Sequence, residues 1–535
     1  MRDKFIAEQK QRLAQGGVSR RQFISAVVAA GVALPAAMSL SESVLAATPK
    51  KGGRLRQGFG HGSTTDSLDP ATTENGMMTN VNYTYANNLT EVAPDGSLVG
   101  ELAESFESPD AKTWTFKLRK GVEFHNGKTM TADDVIASLD HHRGEASKSA
   151  AKGLLKPVKS IRKDGNDTVV VELEKPNSGF PFIVSDYHLL VLPTGSDGKV
   201  DPTGGVGTGP YSITKFEPGV RAEFKRHPNY FKGERAHFDE VESLSLLDTT
   251  ARQNAIMNGD VDVIDKVDPK TVALLARVPI LKILEVTGTL HYTFPMRLDV
   301  KPFDNYDLRM AIKLSIKRQE MVDKILLGHG LIGNDHPISV ANQFHNAELA
   351  QRGYDPDKAR HHLKKAGMEG ATVQLSAADA AFAGAVDAAQ LIKASAEASG
   401  LNVEIIREPK DGYWSNVWNK KGWCACYWGG RPTEDWMFAS AYVADTEWND
   451  TAWRNTEAAN AFNGLVVEAR AELDEAKRRT LYAECQKLIH DDGGAVVPMW
   501  ANHIHALGKK VMHEEKVAGN WQNDGNKSAE RWWFA

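Results

Sequence analysis

The chain has 535 residues, 41% of them hydrophobic and 25% charged, with 64 Lys and Arg against 69 Asp and Glu and a net charge of −5. That length excludes a single small domain, the near-average composition excludes wholesale disorder or a fibrous repeat, and the acidic balance excludes a nucleic-acid binder that needs a basic surface. Three cysteines exclude a disulfide scaffold, and a lone long apolar run near the N-terminus excludes a polytopic membrane protein.

Chain order begins with Ser19-Arg20-Arg21-Gln22-Phe23-Ile24, which opens a mild apolar stretch to Leu34 and leads to small residues at Val44-Leu45-Ala46-Ala47. A charged start, a short apolar core and small residues predict an export signal, cleaved after Ala46 or Ala47. Pro35 and the Ala/Gly-rich core argue against a membrane anchor. The paired arginines before Gln-Phe resemble the twin-arginine export motif, an address that a receptor reads. Without residues 1–47 the net charge is −8, and no cysteine near the cut offers a lipid attachment point.

Beyond that point Gly52–Phe59 predicts an opening strand and Asp66–Pro70 a turn. Trp114-Thr115-Phe116-Lys117-Leu118 alternates as a half-buried strand does. Thr131-Ala132-Asp133-Asp134 is a capping box, so its two acids cap a helix and do not catalyse. Strands are expected between Val169 and Leu192, and a Gly- and Pro-rich connection from Asp197 to Gly209. Asp248 starts a helix stopped by Gly259, a strand follows at Val261–Ile264, and one helix is predicted from Asp307 to about Leu327. Asp355-Pro356 starts another that ends before Gly367. Val373–Ser376 is read as strand, Ala385–Ser399 as helix, Val403–Arg407 as strand, the stretch after Asp474 as helix, and Val496–Trp500 as strand. Alternation from about residue 245 implies parallel sheet with crossovers, after a hairpin-rich first half. Cys424 and Cys426 alternate on one strand, which is poor geometry for a bridge. Cys485 either reaches one of them or, like them, is a small buried hydrophobe.

Gly100-Glu101-Leu102-Ala103-Glu104-Ser105-Phe106-Glu107, then Thr113 to Gly127, then Thr131 to Leu139 form a run similar to the signature of the peptide-, opine- and nickel-type periplasmic solute-binding family that serves ABC importers. Gly207-Thr208-Gly209-Pro210-Tyr211, Arg226–Phe231, Asn258–Asp262 and Tyr354–Arg360 extend the resemblance over essentially the whole mature chain. It implies an α/β fold of two lobes with an extra subdomain inserted in the first. Residues 48–78, 205–292 and 498–535 would form the core of lobe one, 79–204 the insertion and 293–497 lobe two. Hinge strands would cross near His291–Met296 and Val496–Ala501. The implied protein is a monomer with no cofactor, no nucleic-acid partner and no catalytic activity. It would hand a small-molecule or peptide ligand to an inner-membrane ABC permease.

The resemblance also nominates site residues. Trp428-Gly429-Gly430-Arg431-Pro432-Thr433-Glu434-Asp435-Trp436 matches in position the family loop whose acid holds a peptide's ammonium, with Asp435 the first candidate and Glu434 the second. Trp414, Trp428 and Trp436 would supply apolar walls, Gly207, Thr208 and Gly209 backbone contacts, and Tyr85 a further contact. Dipeptide-type relatives carry a carboxylate-clamping arginine just before the helix that begins here near Ala385. This chain offers Asp379 there, so either Arg431 takes that role or the solute has no free carboxylate at that point. His141-His142, His361-His362 and His503-x-His505 leave a nickel-chelate or haem receptor as the alternative. An exported hydrolase is disfavoured, since no Gly-x-Ser-x-Gly or His-Glu-x-x-His occurs.

Overall fold

The computed structural model describes residues 2–14, 17–34, 36–38, 40–41, 48–145, 147–409, 413–431 and 433–535. The expected cleavage point at Ala46 or Ala47 lies outside them. Ser19 caps the helix Arg20–Ala29 through a reciprocal box with Gln22, and Phe23 and Val27 pack with Leu13 and Ala37 in a small separate cluster. Among the described residues no helix is long and apolar enough to cross a membrane.

The central body is a mixed nine-stranded sheet. Its strands run in the order Cys426–Trp428, Leu281–Thr293, Met499–Gly508, Val263–Ile264, Arg54–Phe59, Glu240–Ser245, Arg221–Arg226 and Tyr211–Glu217, and Gly330–Ile332 pairs with Met499–Gly508 off that path. Arg54–Phe59 lies parallel to both of its neighbours, whereas the outer strands form antiparallel hairpins. A four-stranded antiparallel sheet, Ala103–Glu107, Thr113–Leu118, Thr168–Leu173 and Val158–Lys163, stands apart with its own core. Trp114, Phe116 and Leu118 face that core as the alternation requires.

Helix ends follow the capping chemistry read from the sequence. Asp248, Asp355 and Asp474 each accept from a backbone N–H in the first turn of the helix they precede, and Gly259 and Gly367 close two of these helices in the left-handed region. Asp134 closes the box by accepting from Thr131 N–H at 2.9 Å. The stretch expected as one helix from Asp307 is two, Tyr306–Leu314 and Arg318–Ile325. The break is held from outside, because the Leu314 carbonyl accepts from Asp355 N–H at 2.9 Å and Ser315 Oγ turns back to the Ala311 carbonyl at 2.7 Å.

The parallel pairing expected in the second half appears in Thr372–Ala377 against Asn402–Arg407, with Ala385–Glu397 crossing between them. These elements share one hydrophobic cluster that runs from Phe294 to Ala501, distinct from the clusters built around Leu55 and around Leu89. Two long strands, Leu281–Thr293 and Met499–Gly508, run antiparallel from one body into the other, with a register shift between Thr287 and His291. All three cysteines are free and buried, and burial pushes their thiols up.

Candidate functional site

The two long strands form the floor of a cavity of about 720 Å³. Tyr292 and His503 rise from that floor, Arg252 and Lys266 line the first lobe's side, and Leu326 and Gly384 line the second lobe's side. On the first lobe this is where the parallel strands Arg54–Phe59 and Val263–Ile264 release their carboxyl ends, the usual place for a crevice in such a sheet.

Arg431 sits on the loop that follows the edge strand Cys426–Trp428. That strand pairs with the floor strand, His291 opposite Trp428 and Tyr292 opposite Tyr427. Gly430 lets the loop lie on the floor, because a Cβ there would fall 1.6 Å from Thr289 Oγ1. The guanidinium of Arg431 is tied by Nη1 to the Gly429 carbonyl at 3.0 Å and by Nε to Ser440 Oγ at 3.3 Å, and it lies 5.9 Å over the Trp428 ring. It forms no ion pair among the described residues. Burial lowers its pKa, opposed by Tyr187 and Asp186 of segment 79–204, which face it from the other lobe.

An aromatic wall continues from Arg431. Trp418 stands 6.1 Å from Trp428 and 6.0 Å from Trp414, and Trp414 stands 5.6 Å from Tyr427. Trp414 and Tyr427 are exposed at 41% and 44%. Trp436 is half-buried, and its backbone N–H is capped by Thr433 Oγ1 at 3.2 Å.

The acids nominated from the sequence are committed elsewhere. Asp435 accepts from Arg470 Nε at 2.6 Å, so its charge is already compensated within lobe two. Glu434 is 2% exposed, accepts from Phe344 N–H at 2.8 Å, and is pushed up to about 7 by burial. Asp379 turns to the helix beginning at Ala385 and accepts from Val386 N–H at 3.4 Å.

The glycine loop and Tyr85 also require correction, since the structure places them inside lobe one. Gly209 N–H donates to the Tyr85 carbonyl at 2.9 Å, and a Cβ at Gly207 would meet that same oxygen at 2.2 Å. Thr208 is buried against Asn87, and Tyr85 is fully buried with its hydroxyl on the Leu68 carbonyl at 3.1 Å. These glycines serve the close packing of residues 207–209 against Tyr85 and Ala86.

Of the six histidines in the three pairs, four have hydrogen-bond partners within the protein. His141 bonds Asp69, His142 bonds Ser149 and His362 bonds Asp307, while His505 accepts from Asn523 N–H at 2.9 Å. Glu91, Glu101 and Glu530 do gather tightly enough to suggest a cation site, but the ammonium groups of Lys232 and Lys527 already occupy their centre.

Residues 97–450 match the family model described as bacterial extracellular solute-binding proteins, family 5, middle region. The chain is 24% identical over 464 residues to the dipeptide-binding protein of Escherichia coli strain K12, covering 79% of this chain and 83% of that one. Among solved structures it resembles the binding protein AgaA in complex with agropinic acid from Agrobacterium tumefaciens R10, with a TM-score of 0.71 and 24% identity, covering 90% of this chain and 99% of that one. It also resembles HbpA2 of Haemophilus parasuis, with a TM-score of 0.78 and 20% identity, covering 88% of this chain and 99% of that one.

Proposed function

Because the chain belongs to family 5 of the bacterial extracellular solute-binding proteins, we propose that it closes its two lobes on a peptide- or opine-like organic solute and delivers it to an inner-membrane ABC permease. Arg431 receives the solute's carboxylate, and Trp428, Trp414 and Tyr427 form the apolar wall beside it. The observation that carries this reading is the guanidinium of Arg431, half-buried, facing Tyr187 and Asp186 without forming an ion pair among the described residues, and with two of its nitrogens already fixed by the protein. A charge removed from water needs a partner, and a carboxylate fits the planar fork of arginine best. This moves the charged role from Asp435 to Arg431 and changes the expected solute from one chosen for its amine to one chosen for its acid. The first lobe contributes Tyr187 opposite Arg431, so a bound solute touches both lobes and selects the closed form.

Residues 1–47 are assigned to an export signal of twin-arginine type. The mature protein then works as a soluble, unlipidated receptor of the periplasm, with lobes divided at 48–78, 205–292 and 498–535, with 79–204 inserted, and at 293–497. Delivery requires release, so an affinity near micromolar, about −8 kcal/mol, suits the role. A thermal-shift screen over peptides, opines, polyamines, oligosaccharides and nickel chelates tests it. Stabilisation by an acid-bearing peptide or opine, lost in Arg431→Met, is the expected result. Stabilisation by a polyamine that survives Arg431→Met would overturn the assignment. Sequencing the exported protein from its N-terminus tests the signal, and finding Met1 there would remove it.

A further inference from the structure

Behind the aromatic wall lies a buried carboxylate that neither the fold nor the carboxylate clamp uses. Asp450 is 2% exposed and forms no ion pair among the described residues. Instead its Oδ2 alone accepts from two indoles, Trp418 Nε1 at 3.0 Å and Trp428 Nε1 at 3.1 Å. The two rings come from different elements. Trp418 follows the short helix Tyr413–Asn416, while Trp428 ends the edge strand that pairs with the cleft floor. Both also touch Trp448, at 6.5 and 6.1 Å between centroids.

The other titratable or charged groups that face Asp450 are Arg297, the Cys424 and Cys426 thiols and the Tyr442 phenol. Arg297 is turned away, held by Asp299 at 2.7 Å and by the Asn419 carbonyl at 2.9 Å. Burial pushes Asp450 up to about 6, with the two indole N–H groups, Arg297 and a hydrogen bond from the Cys426 thiol pulling the other way. An unpaired carboxylate in a protein interior is costly. A neutral acceptor of the same shape would be cheaper to bury, so the charge calls for an explanation in function.

We propose that Asp450 is the positioning residue of the cleft's aromatic wall: its ionised carboxylate ties Trp418 to Trp428 and so sets the surface on which Arg431 and the solute rest. The solute part of this inference rests on the reading above, whereas the tie between the indoles stands on geometry alone. Hydrogen bonds to an ionised acceptor are roughly twice as strong as neutral ones. Protonation therefore loosens both indoles together, and the wall with them.

The test uses the full chain with ¹⁵N-labelled tryptophan, and Trp418→Phe and Trp428→Phe assign the two indole N–H resonances. Both should shift with a single midpoint near pH 6, the value to which Asp450 is pushed, and Asp450→Asn should abolish that shared titration while the remaining indoles stay dispersed. Separate midpoints, or a titration that persists in Asp450→Asn, would overturn the proposal. In a second arm agropinic acid and the dipeptide Ala-Phe serve as probes. Affinity of the wild type should fall at least threefold between pH 7 and pH 5, and Asp450→Asn should show no such fall. If a probe binds and that variant retains the wild-type affinity and pH profile, the positioning role is lost. If neither probe binds while the indoles titrate together, the positioning stands and the choice of solute class falls.

Discussion

Buried charge is handled in two ways in this molecule. In one cluster Glu91 and Glu101 meet Lys232 and, from the C-terminal segment, Asp524, Lys527, Glu530 and Arg531. Lys232 Nζ lies 2.7 Å from Glu101 and 2.9 Å from Glu530, Lys527 Nζ lies 2.6 Å from Glu101, and Arg531 bonds Glu91 at 2.6 Å and Asp524 at 3.0 Å. Cations and carboxylates nearly balance, and three distant stretches of chain are locked together. At the aromatic wall Arg431, half-buried, and Asp450, buried, form no ion pair among the described residues, whereas Asp335 in the same half of the chain is paired with Arg318 at 2.6 Å and Arg352 at 2.9 Å. Balanced charge ties distant stretches of chain together, while the charge without an ion pair sits at the aromatic wall, where the proposed solute and the two indoles would answer it.

Breaking a balanced site should have the largest effect. Lys527→Met leaves Glu101 short of a cation, and removing one member of a buried pair costs about 3–5 kcal/mol. Urea titration measures that loss, and the folded remainder should bind solute normally. An unchanged midpoint would mean that the network is not what holds the C-terminal segment. Acid separates the two regions further. Lys232, Lys527 and Arg531 hold Glu91 well below the usual carboxylate range against the burial that opposes them, so its contribution is present above the unfolded value and fades as pH falls. Asp450 runs the other way. Its folded pKa of about 6 exceeds the unfolded 3.8, so the folded state binds the extra proton and stability rises as pH drops from about 6 to about 4. Asp450→Asn should accordingly raise stability at pH 7.5 by about 2–3 kcal/mol, with the gain vanishing near pH 4. A destabilised variant would show that the carboxylate's hydrogen bonds outweigh its desolvation. Next in size, Arg431→Met should weaken solute binding at least tenfold, about 1.4 kcal/mol, while melting without solute is unchanged or slightly higher. Calorimetry on the two variants keeps binding and folding apart.

Local chemistry was the legible part of the sequence. The caps at Asp248, Asp355 and Asp474 and the alternation at Trp114–Leu118 depend on neighbours along the chain, and each appears where the residues place it. What failed was partner choice over long separations. Asp435 and Glu434 are acids in the right loop, but nothing nearby announces that Arg470 and the Phe344 backbone claim them. Gly207 and Gly209 looked like a ligand loop because glycine permits close approach, yet the approaching group is the chain at Tyr85. Asp450 carried no signal, since its meaning lies in two indoles 22 and 32 positions away.

The smallest expected effect concerns the way the two regions meet away from the floor strands. Ser178, in the inserted segment, donates its N–H to the Arg470 carbonyl at 2.6 Å and its hydroxyl to the Ala469 carbonyl at 3.1 Å. Both carbonyls lie in the last turn of the helix Glu457–Ala471, where Ala469 also accepts from Glu472 N–H at 3.3 Å, so Ser178 adds to the cap of that helix. Asp435 steadies the same spot by holding Arg470 Nε at 2.6 Å. Ser178→Ala keeps the backbone bond and removes the side-chain bond, a loss of about 1 kcal/mol or less. If this contact parts when the lobes open, the loss falls on the closed form alone. Solute affinity then drops about threefold to fivefold, with melting of the empty protein nearly unchanged. Asp435→Asn should act in the same direction through Arg470. Equal losses of affinity and of solute-free stability would instead make the contact a fixed part of one rigid body, and the cap would have no bearing on capture.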